Sequence, residues 1–192
     1  MNKWLKSFLL LFQIAGGLLG IGIIGRVFLA GNLTPIAMII NSAFVIVFAF
    51  GILAGLALIK KPKLGLTLSL IFQGIQIPII ITPSIGYILS SGAFLNVYWH
   101  GTGWGTKFAF LGSRYYFYLN SGEPWCAGAN IVALVLFVFL IREIWLEAAV
   151  IKISKSELSK DFRPTSGDAT KQAQLSQPTE SHRVPLRGAW RS

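Results

Sequence analysis

Residues 64–90 read LGLTLSLIFQGIQIPIIITPSIGYILS, 27 positions without one charged side chain. A hydrocarbon core about 30 Å thick takes about 20 mostly apolar residues as a helix, so the stretch predicts a single membrane span. Pro78 and Pro83 release backbone carbonyls near Gly74 and Ile79 and should kink it. Gln73 and Gln76 are three apart and share a face with Ser69. On a kinked helix they would line a small polar cavity or bond to a neighbouring helix.

Upstream, KKPK at Lys60–Lys63 makes a tight basic turn into this stretch. Further apolar segments lie at about 7–25, 36–59 and 125–141. Together the four predict an all-α membrane protein, a four-transmembrane-helix bundle over residues 1–158. The N-terminus, MNKWLKSFLLLF, starts like a signal peptide, but its apolar run reaches Ile24 without a cleavage site, which predicts an uncleaved signal anchor. Beyond Ile141, REIWLEAAVIKISK keeps helical spacing, whereas residues 159–192 are polar and predict a disordered, basic C-terminal tail.

Composition agrees with a membrane solvent. Of 192 residues, 54% are hydrophobic and only 12% charged, against roughly 25% charged in soluble domains; mean hydropathy is +0.64. The net charge of +10 could suggest nucleic acid, but the cations flank apolar segments instead. With the N-terminus inside, 14 of the 17 cations fall on the inner side, and only Arg26, Lys107 and Arg114 fall outside. Both termini are therefore expected in the cytoplasm, and short loops in a compact chain point to a bacterial inner membrane.

The one sizeable outer loop, residues 92–124, contains KFAFLGSRYYFYL at Lys107–Leu119. Gly112-Ser113 between aromatics predicts a small β-hairpin with a two-residue turn. That turn would set Phe108 opposite Phe117 and Lys107 opposite Tyr118, with Phe108, Phe110, Tyr115 and Phe117 on one face. Trp99 and Trp104, in VYWHGTGWG, add to the aromatic surface. These six residues are the candidates for docking a partner or capping the bilayer interface.

Reactive groups are few. Cys126 is the single cysteine, which excludes an intramolecular disulfide or a CxxC redox centre. His100 and Glu123 are the only outer acid-base pair, and no HExxH, GxSxG or P-loop pattern occurs. Four-helix thiol-disulfide enzymes would need cysteine pairs, and small four-helix drug exporters a membrane-embedded carboxylate; neither is present. No metal or cofactor is expected.

The spans do carry polar side chains: Gln13, Asn41, Gln73 and Gln76. Gln13 shares a stripe with Gly16, Gly17 and Gly20, and Gly51 and Gly55 repeat the small-residue spacing, a pattern of close helix packing. The sequence thus predicts a non-catalytic accessory or scaffold subunit that contacts lipid and other membrane proteins, or further copies of itself. The alternative is a channel or facilitator for a small uncharged solute or lipid, with Gln73 and Gln76 on its path.

Overall fold

The computed structural model describes residues 3–31, 33–120 and 122–161. The chain divides into a unit Met1–Ala148 and a unit Ala149–Ser192. In the second unit the described residues are helical; most of the predicted disordered tail, residues 162–192, lies outside the described residues.

Helices α1 (Lys3–Leu29) and α2 (Pro35–Lys60) are the first two apolar segments, each a little longer than expected. Thr34 starts α2 by accepting the Ala37 amide at 3.2 Å, with Pro35 at the first helical position, where no backbone donor is needed. The two helices run antiparallel, because Gly17 lies against Phe48 and Ile52, while Gly55 lies against Ile14. Helix α3 (Pro62–Gln76) doubles back along α2, with Gly65 on the Leu58 backbone and the Phe72 ring over Gly51.

Four helices are present, but among the described residues only α1 and α2 are long and apolar enough to cross a membrane. The all-α four-transmembrane bundle is wrong, since the chain from 78 to 130 forms a four-stranded antiparallel sheet. Its strands are β1 (Pro78–Ile81), β2 (Ile85–His100), β3 (Gly103–Leu119) and β4 (Cys126–Asn130), followed by α4 (Ile131–Asp161).

Each correction has a local cause. The expected third span stops at Gln76, and its 15 helical residues reach only about 22 Å. Pro78 lacks the backbone donor that a further helical turn would need. Three successive isoleucines then favour the extended chain. The expected fourth span begins six residues late because CAGAN is β4. Asn130 then caps α4, its Oδ1 accepting the Ala133 amide at 3.3 Å.

The expected small hairpin about Gly112-Ser113 is also wrong. β3 runs straight through that dipeptide, and Gly112 and Ser113 pair with Gly92 and Ser91. The turn is Gly101-Thr102, between the paired His100 and Gly103, so the strands of 16 and 17 residues are about three times the expected length. Phe108 pairs with Leu95 and Phe117 with Tyr87, not with each other; Lys107 pairs with Asn96 and Tyr118 with Gly86.

A bulge splits the ribbon: Gly92 pairs with Gly112 but Phe94 with Ala109, so one residue of β2, Ala93, stands against two of β3, Phe110 and Leu111. Below it, β2 pairs with β1 (Ile88 with Ile79); beyond it, β2 pairs with β4 (Asn96 with Asn130). Since β1 and β4 also pair with each other, the sheet curls back on itself. The Asn130 amide donates to the Ile77 carbonyl at 2.8 Å, tying the end of α3 to the start of α4.

Two apolar clusters result. Leu9, Leu58, Leu66, Leu136 and Leu140 join all four helices, and Ile24, Phe44, Phe48 and Leu89 join α1 and α2 to the sheet.

Candidate functional site

Helix α1 seats directly on the ribbon at its bulge. The space a side chain would need at Gly16 is filled by the Gly92 amide and the Ser91 hydroxyl. The Ser113 hydroxyl donates to the Gly16 carbonyl at 2.5 Å. Gly92 itself has φ +83°, and a side chain there would strike the Phe12 carbonyl, so this position demands glycine twice over.

Below the bulge one face of the ribbon, with Tyr87, Tyr115 and Phe117, is taken up by the helices, while Tyr116 on the other face is exposed. The Tyr115 ring lies 4.8 Å from Phe44 and 6.0 Å from Phe48, and its hydroxyl donates to Asn41 Oδ1 at 2.7 Å. Asn41 in turn donates to the Ala37 carbonyl at 2.7 Å. The Tyr87 hydroxyl donates to the Ile75 carbonyl at 2.6 Å, satisfying a group freed where α3 ends. Phe117 packs on the same cluster. Of the docking candidates, Tyr115 and Phe117 are thus structural here.

Beyond the bulge the picture reverses. Trp104 is 75% exposed, Phe110 67% and Phe108 66%, and Trp99 is exposed too. Phe110 meets the Phe12 ring edge-on at 5.2 Å, so it borders α1 while most of its surface stays uncovered.

The polar candidates gather where α3 gives way to the sheet. Gln13 Oε1 accepts the Ser69 hydroxyl at 3.1 Å. Gln76 uses both ends of its amide: Oε1 accepts the Ser91 amide at 2.7 Å, and Nε2 donates to the Phe72 carbonyl at 3.3 Å. Gln73 is buried beside them. Gln13 Nε2, Ser91 Oγ and Asn130 Nδ2 are buried without a hydrogen-bond partner among the described residues. Asn41 stands apart from this group, on the Tyr115 side of α2.

Inside the curled sheet a cavity of about 90 Å³ is lined by Ile79, Ile88, Asn96, Tyr98, Arg114 and Cys126. Asn96 and Ser90 exchange hydrogen bonds at 3.1 and 3.2 Å across the bend of β2. Burial pushes the Cys126 thiol up, and the positive charge of Arg114 pulls it partly back. His100 Nδ1 lies 2.9 Å from the Thr102 hydroxyl at the hairpin turn. Among the described residues no three metal-ligating side chains come together.

Sequence reasoning missed Ser91, Ser113, Asn96 and Asn130. For Asn130 a signal existed, an N-cap residue immediately before an apolar run. Asn96 and Ser91 carried none, because their roles depend on strand register. No family model matches this chain, and neither curated proteins nor solved structures yield a relative, so its function is read from its own geometry.

Proposed function

We propose that this chain is a multi-pass integral membrane protein that serves as an accessory or scaffold subunit, docking a partner through the outer half of its β2–β3 ribbon. The observation that carries this reading is the exposure of Trp104, Phe108 and Phe110 on a hydrogen-bonded ribbon whose other half packs one face, with Tyr87, Tyr115 and Phe117, on the helices. Exposed aromatic surface of this kind marks interaction sites, and aromatic anchors dominate binding energy. The small-residue stripe of α1 is already occupied within the chain, so docking falls to the ribbon and not to that helix face.

The membrane reading is supported by the two long apolar helices and by what they leave uncovered. Leu11, Leu18 and Ile23 of α1 and Ile39, Ile46 and Leu53 of α2 are exposed, and helices apolar all round suit a lipid environment. The cation distribution favours both termini in the cytoplasm. Helix α3 and the start of α4 would then fill the inner half of the bilayer, with the sheet above them. Irregular backbone at that depth is tolerated when it is buried in protein, as where Asn130 and Ile77 bond.

Gln76 is held at both ends of its amide, which favours packing over a permeation path. The test is purification of the tagged protein from its native membrane in mild detergent, with mass spectrometry of what accompanies it. A stoichiometric partner lost in a Trp104→Ser, Phe108→Ser variant is the expected result. A lone monomer in both samples would end the reading.

A further inference from the structure

The first turns of α1 and the part of α4 between Phe139 and Glu143 border an open groove of about 590 Å³, within the ~300–1,000 Å³ range of small-molecule sites. It is polar at one end and apolar at the other. Trp4, Arg142 and Glu143 line it where both helices leave their apolar stretches; Phe8, Leu11 and Phe139 line it further in. Trp4 to Leu11 spans about 10 Å of helix. Leu5 and Phe8, which line it, pack on their other side against the leucine cluster.

Such a gradient fits an amphiphile, and the charges narrow its class. Arg142 and Glu143 together contribute no net charge, which favours a zwitterionic headgroup over an anionic one. We propose that this groove binds phosphatidylethanolamine, its phosphate on the Arg142 guanidinium, its ammonium on the Glu143 carboxylate and its acyl chains along Phe8, Leu11 and Phe139. Arginine matches phosphate oxygens with paired donors. Glu143 is already engaged within the protein, and a carboxylate keeps further acceptor positions for an ammonium. Trp4 suits the headgroup level, where an amphipathic ring is at home.

The quaternary ammonium of phosphatidylcholine offers Glu143 no N–H, and phosphatidylglycerol offers it no cation. The inference rests on the membrane reading, so the test separates the two. The full chain, Arg142→Gln and Glu143→Gln are each assayed by flotation with vesicles and by lipid titration of delipidated protein using native mass spectrometry. Phosphatidylethanolamine should bind about tenfold tighter than phosphatidylcholine or phosphatidylglycerol, one charge-assisted contact's worth.

Arg142→Gln should weaken all three lipids alike, since each carries the phosphate, and Glu143→Gln should level phosphatidylethanolamine with phosphatidylcholine. Flotation with equal binding of the three lipids, tighter binding of phosphatidylglycerol, undiminished binding in Arg142→Gln, or an unchanged preference in Glu143→Gln would overturn the site alone. Failure to float would overturn the membrane reading and the site with it.

Discussion

The two halves of the β2–β3 ribbon carry similar aromatic side chains and meet opposite fates. Below the bulge at Gly92, Tyr87, Tyr115 and Phe117 are locked between α1, α2 and the end of α3. Beyond it, Trp104, Phe108 and Phe110 keep most of their surface uncovered, and Trp99 nearly half. Composition does not separate the halves, but the backbone contact of Gly16 with Gly92 does. Whichever part of a ribbon a helix can approach closely becomes core, and the rest stays available. A glycine on each element permits that approach.

The comparison can be broken from the helix side first. Phe48 is fully buried between Gly20, Tyr115 and the α1 stripe. Phe48→Ala should cost about 3–5 kcal/mol, read as a lower denaturant midpoint in detergent micelles, and should also loosen the lower ribbon. Gly16→Val puts an isopropyl group where the Gly92 amide and Ser91 hydroxyl lie, and should cost about 1–3 kcal/mol of overpacking. Gly25→Val is the control, because nothing lies near that position.

A finer cut removes one oxygen. Tyr115→Phe leaves the rings in place but strands Asn41 Oδ1, and should cost about 1 kcal/mol. On the outer half, Phe108→Ser should change stability by no more than about 0.5 kcal/mol. Its effect should fall on partner recovery alone. Equal destabilisation by Tyr115→Phe and Phe108→Ser would erase the distinction between the halves.

The smallest effect concerns Cys126, whose strand pairs with the outer half of β2. Burial holds this thiol above its usual range, so maleimide labelling at neutral pH should be slow and should rise as alkali forms the thiolate. Arg114→Gln removes the charge that pulls the thiol down, and should slow labelling further at each pH. Unchanged or faster labelling in that variant would place the guanidinium outside the thiol's influence.

Much of the helical part was legible in the sequence, and the sheet was not. The limits of α1 and α2 follow from apolar length, the basic turn at Lys60–Lys63 and the Thr34-Pro35 start. Residues 64–90 defeat the same reasoning because uninterrupted apolar character cannot separate a buried helix from a buried strand. The arbiters were present in PIIITP: two prolines within six residues flanking β-branched side chains.

The choice of turn was not locally decidable. Gly101-Thr102 and Gly112-Ser113 are both plausible, and the answer depends on β2, whose first six residues read as the end of a span. Of the polar candidates, the packing role of Gln13 and Gln76 follows from small residues beside them, but Asn41 meets Tyr115 only through tertiary structure.

The register of the ribbon is the claim on which the fold, the buried aromatics and the docking surface all depend. Disulfide trapping in a Cys126→Ala background tests it directly, since a bridge needs Cα atoms about 4.4–6.8 Å apart. Ile85 and Leu119 are register partners and both exposed, so Ile85→Cys with Leu119→Cys should cross-link under mild oxidation. Lys107→Cys with Tyr118→Cys, which would face each other about a Gly112-Ser113 turn, should not. Cross-linking of the second pair and not the first would contradict the sheet and restore residues 64–90 as a span.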